Sequence, residues 1–431
     1  MAVIPQPDSS ARISDPATVP GAVPQAAQGA RPAPRLLRKV LSLADFEAHA
    51  RRRLPRPIFG YVSGAVEDHL SARDNREAFD AYGFKPRVLT GAVARDQSVT
   101  LFGKRYSSPF GLAPMGLSAL TAYRGDIVLA EAAQRAGIPA IMSGSSLIRL
   151  EEVMERAPGT WFQAYLPGDP AQIDALIDRV ARAGVQTLVI TVDTPVSANR
   201  ENNVRAGFST PLRPSLRLAW DGLSHPRWLV GTFLRTLVRH GMPHFENNYA
   251  TRGAPILSSK VLRDLSERAY LNWEHIAKIR RRWDGPMIIK GILDARDAAI
   301  ARRHGMDGII VSNHGGRQLD GAASPVHVLP EIAEAARGMT VMMDSGVRRG
   351  THVAKALALG AQCVFVGRPF NYAAAVAGPA GVDHAISLLR QEIDRDMGML
   401  GLSSLQQLDA SYLVPVRPLP GRMPAAPAAG D

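Results

Sequence analysis

Short apolar runs that end in polar residues or glycine recur along the middle of the chain, separated by amphipathic segments of helical period. The amphipathic segments include residues 126–136, 170–183, 294–304 and 350–359. Strands that alternate with helices in this way are typical of βα units around a parallel sheet. The strand-like runs are residues 109–116, 139–146, 161–166, 187–194, 287–291, 308–314, 340–346 and 363–369. Eight such runs predict an α/β fold, a single (β/α)8 TIM barrel rather than a doubly wound sheet.

One interval breaks the alternation of strands and helices. Residues 195–286 separate the fourth run from the fifth, which is far more chain than one crossover needs. The sequence therefore predicts an inserted segment at about 201–285. Within it, residues 216–241 mix tryptophan and aliphatic side chains with arginines. Such a segment can lie in a membrane interface, cover the mouth of the barrel or form a subunit contact.

The two ends of the chain differ in composition from its middle. Residues 1–38 are rich in proline, alanine, glutamine and serine and contain no aromatic residue, and residues 418–431 are similar. Such stretches cannot bury enough apolar surface to offset their conformational entropy. We therefore predict a disordered N-terminal extension at 1–38, a barrel domain at 39–417 and a disordered tail at 418–431.

Composition and charge narrow the classes of function. A chain of 431 residues that is 46% hydrophobic can bury a large core, and its net charge of +12 suits nucleic acid, an anionic membrane surface or anionic substrates. The arginines are scattered and no nucleic-acid-binding motif is present, so we predict no nucleic-acid partner. No apolar run reaches the length of a membrane span, and the start lacks the order of a signal peptide. The expected location is the cytoplasm, with the inner face of the cell membrane left open.

Candidate chemistry collects where the predicted strands end, which is where barrel enzymes carry their active sites. The run from Ser312 to Asp320 puts His314, which titrates near neutrality, and Arg317, a bidentate anion donor, directly after an apolar strand. A single histidine in a loop is more often structural than catalytic. Polar residues at the other strand ends, among them Asp193 and Lys290, favour a functional site.

The ends of the seventh and eighth strands occupy the usual phosphate position of such barrels. They carry Asp344, Gly346 and Arg348, then Gly367 and Arg368. The chain has no Gly-x-Gly-x-x-Gly fingerprint, no Walker motif and no zinc-like spacing of histidines, so a Rossmann-bound nicotinamide, a P-loop nucleotide and a metal site are not predicted.

From about residue 42 to 412 the chain resembles the FMN-dependent 2-hydroxy-acid oxidases and dehydrogenases, a family that includes glycolate oxidase, lactate dehydrogenases and mandelate dehydrogenase. The run from Ser312 to Asp320 matches the family's signature. The resemblance implies FMN as cofactor and a homotetramer. It implies the catalytic residues His314, Asp193, Tyr61, Tyr165, Arg200, Arg317 and Lys290. The FMN-binding residues that it implies are Pro114, Met115, Gly116, Ser143, Gln163, Thr191, Lys290, Ser312, Asp344, Gly346, Arg348, Gly367 and Arg368.

The family resemblance also implies a division of roles. Arg200 and Arg317 would hold the substrate carboxylate, and His314 would accept a proton while Asp193 raises its basicity. The implied substrate-binding set is Tyr61, Tyr165, Arg200, His314 and Arg317. Lys290 would favour the reduced, anionic flavin. Whether the histidine takes the α-proton, leaving a carbanion, or the hydroxyl proton during hydride transfer is left open.

Substrate size and electron acceptor follow from two further likenesses. Ser145 stands where family members that oxidise glycolate carry a tryptophan, so the expected substrate is a larger L-2-hydroxy acid such as lactate or mandelate, oxidised to the 2-oxo acid. The inserted segment looks like that of mandelate and lactate dehydrogenases, some of which reduce quinone at the membrane. This favours a dehydrogenase over an oxidase that forms hydrogen peroxide from O2. The competing interpretations are another FMN barrel, such as an isomerase or nitronate oxygenase, and a non-enzymatic basic membrane-surface protein.

Overall fold

An eight-stranded parallel barrel forms the centre of the computed structural model, which describes residues 34–258 and 266–417. The strands of the chain are β1 (Tyr82–Phe84), β2 (Val99–Leu101), β3 (Lys104–Tyr106), β4 (Phe110–Leu112), β5 (Ile141–Ser143), β6 (Trp161–Ala164), β7 (Leu188–Thr191), β8 (Met287–Ile292), β9 (Gly308–Val311), β10 (Thr340–Met343), β11 (Cys363–Val366) and β12 (Leu413–Pro415). Strands β5 to β11 pair in chain order and β11 pairs with β4, all in parallel. A bridge from Leu112 to Ala140 closes the ring. The predicted (β/α)8 TIM barrel is confirmed.

Helices surround the barrel and fill its connections. They are α1 (Asp45–Arg53), α2 (Arg56–Ser63), α3 (Leu70–Glu77), α4 (Ser118–Thr121), α5 (Gly125–Ala136), α6 (Leu150–Arg156), α7 (Pro170–Arg182), α8 (Glu201–Ala206), α9 (Leu216–Leu223), α10 (Pro226–Trp228), α11 (Arg235–His240), α12 (Trp273–Arg282), α13 (Ala295–Arg303), α14 (Pro325–Ala335), α15 (Gly350–Ala358) and α16 (Arg368–Leu400). Shorter 3₁₀ helices lie at Arg35–Lys39, Ala78–Ala81, Ser266–Tyr270, Leu405–Gln407 and Ala410–Tyr412, and Leu229–Leu234 is a π-helix. The apolar faces of the helices cover the outside of the barrel, so its strands are buried on both faces and read as continuous apolar runs.

A hairpin closes the N-terminal end of the barrel. Strands β2 and β3 pair antiparallel, and their Leu101 and Tyr106 join the apolar residues of the barrel interior, such as Ile310 and Phe365. The indole N–H of Trp161 donates to the Tyr106 hydroxyl at 3.2 Å, which satisfies a polar group in this core. The opposite end of the barrel, where the strands end, is therefore the end that can receive a ligand.

The interval between β7 and β8 carries α8 to α12 and is described except for residues 259–265. Trp228 anchors its middle, because the side chain is buried and its indole N–H donates to the carbonyl of Leu120 at 2.6 Å. Around that anchor Trp220 is 70% exposed and Val238 is 84% exposed. In the described part of the chain, no helix combines the length and apolar character that crossing a bilayer requires.

The predicted division at residues 38 and 417 stays a prediction. Residues 1–33 and 418–431, most of the two predicted disordered ends, lie outside the described residues. The 3₁₀ helix Arg35–Lys39 overlaps the end of the predicted extension and buries Leu37. An apolar side chain among these residues therefore belongs to the folded core.

Candidate active site

A cavity of about 520 Å³ opens at the carboxyl end of the barrel, within the usual size range of small-molecule sites. Most of the residues proposed from the sequence line it. These are Tyr61, Pro114, Met115, Gly116, Tyr165, Arg200, Lys290, His314, Arg317, Asp344, Gly346, Arg348, Gly367 and Arg368. The others, Ser143, Gln163, Thr191, Asp193 and Ser312, are not part of its lining, although Asp193 and Ser312 bond to residues that are.

The loop after β9 turns sharply enough to bring His314 to the cavity. His314, Gly315 and Gly316 all have positive φ, at 58°, 67° and 72°. This left-handed backbone costs a glycine little but strains a histidine. A Cβ on Gly316 would lie 2.5 Å from the backbone nitrogen of Ala72, so α3 can approach the loop only because a glycine stands there.

An amide pair ties this loop to α3. Asn75 Nδ2 donates to Asn313 Oδ1 at 2.8 Å, and Asn313 Nδ2 donates back to Asn75 Oδ1 at 2.7 Å. The same Asn313 oxygen accepts the backbone N–H of Gly316 at 3.1 Å. Both amides are buried, so breaking the pair would leave polar atoms unsatisfied. The pair therefore helps to hold the strained backbone beside His314.

His314 and Asp193 form a directed pair. His314 Nδ1 lies 2.7 Å from Asp193 Oδ1, and its Nε2 lies 3.4 Å from the Tyr165 hydroxyl. Burial, opposed by the Asp193 charge, lowers the pKa of His314 below its usual value. Burial acts to raise the pKa of Asp193, but the neighbouring His314 and Lys290 outweigh it and lower that pKa. An ionised Asp193 can only accept, so Nδ1 carries the proton and Nε2 is the acceptor of a neutral imidazole.

Lys290 is a fixed positive charge in the cavity wall. Its Nζ lies 2.8 Å from Asp344 Oδ2 and donates to Ser312 Oγ at 2.6 Å, and the residue is 4% exposed. Burial acts to lower the pKa of Lys290, but the carboxylates of Asp344 and Asp193 outweigh it and raise the pKa. The ammonium group therefore remains protonated and held in one position.

Three arginines bring further positive charge to the cavity with no carboxylate partner among residues 34–258 and 266–417. Burial, then repulsion from neighbouring arginines, lowers the pKa of Arg317 to about 9 and the pKa values of Arg348 and Arg368 to about 10. Their hydrogen bonds go instead to backbone carbonyls, such as Gly64 for Arg317 at 2.6 Å and Gly315 for Arg368 at 2.7 Å. Uncompensated guanidinium groups in a cavity wall favour an anionic ligand.

The polar groups in and around the cavity fit FMN. The side-chain Nε2 of Gln163 and Oγ1 of Thr191 are buried, and within the described chain neither has a hydrogen-bond partner. Such orphaned groups suit the polar edge of a flavin ring. Arg348 and Arg368 follow β10 and β11, where barrels of this kind bind phosphate. A flat ring with polar atoms and a terminal phosphate matches both features.

Arg268 and Phe208 also line the cavity, although no sequence pattern predicts them there. The Arg268 guanidinium lies 4.9 Å from the centre of the Tyr165 ring, and Phe208 stacks on Tyr61 with ring centres 4.5 Å apart. Both come from the interval between β7 and β8, whose residues no periodic pattern assigns to the cavity. An aromatic residue close after Arg200 was the one available signal, and it does not distinguish a cavity wall from an ordinary core position.

The chain is similar in sequence to a known family and to characterised proteins. The sequence profile of the FMN-dependent dehydrogenase family matches residues 50–415. The chain is 36% identical over 376 residues to (S)-mandelate dehydrogenase of Pseudomonas putida, covering 87% of this chain and 94% of that protein. It is 38% identical over 380 residues to L-lactate dehydrogenase of Alcaligenes faecalis, covering 87% and 99%.

Two solved structures align with most of this chain. The crystal structure of the monotopic membrane protein (S)-mandelate dehydrogenase aligns with a TM-score of 0.79 at 34% identity, covering 88% of this chain and 100% of that one. A mandelate oxidase structure aligns with a TM-score of 0.72 at 33% identity, covering 87% and 98%.

Proposed function

The chain belongs to the FMN-dependent dehydrogenase family, and from that premise we propose that it oxidises an L-2-hydroxy acid to the 2-oxo acid with His314 as the base. It is an FMN-dependent 2-hydroxy-acid dehydrogenase or oxidase of the lactate- and mandelate-oxidising kind. The observation that carries the residue assignment is the array of Asp193, His314 and Tyr165 beside arginines that lack carboxylate partners. The other predicted interpretations, a different FMN barrel and a non-enzymatic surface protein, do not account for that array.

Arg200 and Arg317 bind the substrate carboxylate in this proposal. Arg200 Nε donates to the carbonyl of Arg317 at 2.9 Å, and another of its nitrogens bonds to Gln318. Arg317 lies over the Tyr61 ring, 5.2 Å from its centre. These contacts fix both guanidinium planes and leave further N–H donors for a carboxylate, because each group has five. Binding by two oriented arginines places the α-carbon of the substrate and excludes water from its acidic end.

His314 takes the proton in the reaction. Its Nε2 is unprotonated, and its Nδ1–H is directed to Asp193 at 2.7 Å. As Nε2 takes up a proton, the ring becomes an imidazolium, and the Asp193 carboxylate stabilises that new charge. Tyr165, with its hydroxyl 3.4 Å from Nε2, can donate to the substrate oxygen next to the proton being moved. Either proton, that of the α-carbon or that of the hydroxyl, would be accepted at the same nitrogen.

Residues around the barrel mouth would hold FMN. When bound, FMN would accept the two electrons that the hydroxy acid loses. The residues proposed to hold it are Pro114, Met115, Gly116, Ser143, Gln163, Thr191, Lys290, Ser312, Asp344, Gly346, Arg348, Gly367 and Arg368. Within this set Lys290 contributes a fixed positive charge, and Asp344 holds it in place at 2.8 Å. Arg348 and Arg368 would bind the phosphate.

Substrate size is set by the wall at Ser145. This residue lines the cavity with a short side chain, which leaves room for a substituent larger than that of glycolate. We therefore propose lactate or an aryl hydroxy acid such as mandelate as the substrate. Steady-state turnover of a panel of hydroxy acids tests this, and a clear preference for glycolate would contradict it.

In our proposal the reduced flavin passes its electrons to quinone. The enzyme is a tetramer that binds peripherally to the inner face of the cell membrane. Support comes from the exposed apolar side chains of residues 216–241, including Trp220 and Val238. Support also comes from the similarity to a structure described as a monotopic membrane protein. Turnover that rises with a quinone analogue is the expected result. Oxygen consumption without any response to the quinone analogue would instead assign the chain as an oxidase that forms hydrogen peroxide.

A further inference from the structure

A second cavity, of about 550 Å³, lies on the flank of the barrel away from the active site. Four arginines from four different segments line it, namely Arg53 at the end of α1, Arg124 just before α5, Arg156 at the end of α6 and Arg235 at the start of α11. The convergence of cations from separate elements is a property of the fold rather than of one basic stretch of sequence.

Two contacts join side chains of the cavity lining. The Arg235 guanidinium carbon lies 3.9 Å from the centre of the Tyr123 ring, which is close for a cation on an aromatic face. The Tyr123 hydroxyl lies 2.9 Å from Nε2 of His240. A guanidinium, a phenol and an imidazole are therefore held side by side.

Positive charge exceeds negative charge in the cavity lining. Arg124 pairs with Glu152, and Arg156 pairs with Glu131 at 2.6 Å. Across residues 34–258 and 266–417, no carboxylate forms an ion pair with Arg53 or Arg235. Burial and the nearby Arg227 lower the pKa of Arg53. Two cations thus remain for an anionic ligand.

Exposed apolar side chains adjoin the cavity residues Gly231 and Arg235 along the chain. Val230, Leu234 and Val238 belong to the same inserted segment as Arg235, and they are 62%, 40% and 84% exposed. Trp228 anchors this segment to the barrel, so the apolar side chains project from a fixed base. A free phosphate ion would need the arginines but not these exposed apolar side chains. A lipid needs both, because its headgroup phosphate is anionic and its acyl chains are apolar.

We propose that the flank cavity binds the headgroup phosphate of an anionic phospholipid, with Arg53 and Arg235 as its principal ligands. The site rests on the peripheral membrane contact proposed above and gives it a defined headgroup preference. The exposed apolar side chains would lie among the acyl chains of the same leaflet while the phosphate occupies the cavity.

The test uses the FMN-loaded enzyme and its sedimentation with vesicles of phosphatidylglycerol or of phosphatidylcholine. One arginine near an anionic surface contributes about fivefold to binding through its charge alone. The Arg53→Ala/Arg235→Ala variant also loses charge-assisted hydrogen bonds to the phosphate, so it should bind phosphatidylglycerol vesicles at least about tenfold more weakly than a variant that loses two charges elsewhere. A matched control, Arg217→Ala/Arg239→Ala, removes the same charge from the same region outside the cavity lining. It should weaken binding by charge alone, which is at most about 25-fold for two arginines.

Three results would overturn the headgroup site. The first is an equal loss in the two double variants, which would show a diffuse charge effect. The second combines two observations. Inorganic phosphate stabilises the wild type against thermal unfolding but does not stabilise Arg53→Ala/Arg235→Ala, and the two proteins bind vesicles equally well. That result would assign the cavity to a soluble phosphate. The third is equal binding of the wild type to both kinds of vesicle.

The membrane contact itself is tested separately with Trp220→Ala/Val238→Ala. If this variant loses binding to both vesicles while the wild type shows no preference for phosphatidylglycerol, the contact stands and the headgroup site is wrong. Reduction of the flavin by a hydroxy acid, measured in parallel, should be unchanged in all of these variants. The headgroup site can therefore be wrong while the catalytic proposal holds, and the reverse is also true.

Discussion

Replacing Asp193 by asparagine tests the role of the histidine–aspartate pair most sharply. The Asp193 carboxylate oxygen lies 2.7 Å from Nδ1 of His314. Two unit charges at this separation, at an effective dielectric constant of about 20, interact by about 6 kcal/mol. Asparagine keeps the shape of the side chain but not its charge. If the imidazole has taken up about half of the proton in the transition state, the variant loses about 3 kcal/mol of stabilisation. The expected fall in rate is about a hundredfold.

The assay is anaerobic stopped-flow reduction of the bound FMN by L-lactate or (S)-mandelate in the Asp193→Asn variant. FMN content is measured in the same preparation, so loss of cofactor cannot imitate loss of rate. Asp383→Asn provides the matched control, since that carboxylate forms an exposed ion pair with Arg135 on the outer surface. If Asp193→Asn retains its FMN and reduces it within threefold of the wild-type rate, the reasoning about the pair is refuted.

Three further predictions follow from individual side chains. Because burial lowers the pKa of His314 below 6.5, the base is neutral above that pH, so the acid-side fall in kcat/KM should lie below about pH 6.5. An acid-side midpoint above about pH 7 in the pH profile contradicts this. Burial raises the pKa of Asp126 to about 6 from 3.8, so its contribution to stability is complete below pH 3.8 and is lost as pH rises through 6. The difference is at most about 3 kcal/mol, and urea unfolding should show less loss of stability between about pH 4 and pH 7 in Asp126→Asn than in the wild type. Parallel pH profiles of the two proteins would argue against it. Ser145→Trp should lower kcat/KM for mandelate relative to lactate by at least about tenfold, and an unchanged ratio in steady-state assays would remove this residue from the substrate wall.

The barrel could be predicted because its strands are buried on both faces. Each of the eight strands is a short apolar run, and each run ends where polar residues or glycine begin. The periodicity of the helices between them supplied the rest of the pattern. The hairpin of β2 and β3 gave no comparable signal, because three-residue strands are too short to show a period, and its contact with Trp161 is purely tertiary.

The site could be predicted as far as strand ends define it. Lys290 lies near the end of β8, and His314 and Arg317 follow β9. The structure brings all three to one cavity, where their roles remain a proposal. Asn75 could not be found in the same way, because its partner Asn313 is 238 residues away and only the docking of α3 joins them. Arg268 and Phe208 escaped notice because the chain between β7 and β8 follows no repeating pattern.

We propose His314 as the base that accepts the substrate proton. The most direct measurement compares the wild type with His314→Gln, each loaded with FMN, mixed anaerobically with an L-2-hydroxy acid while the flavin absorbance is followed. We expect the wild type to bleach and the variant to retain its oxidised flavin over the same period, with equal FMN content in both. Bleaching of His314→Gln at the wild-type rate would show that His314 is not the essential base.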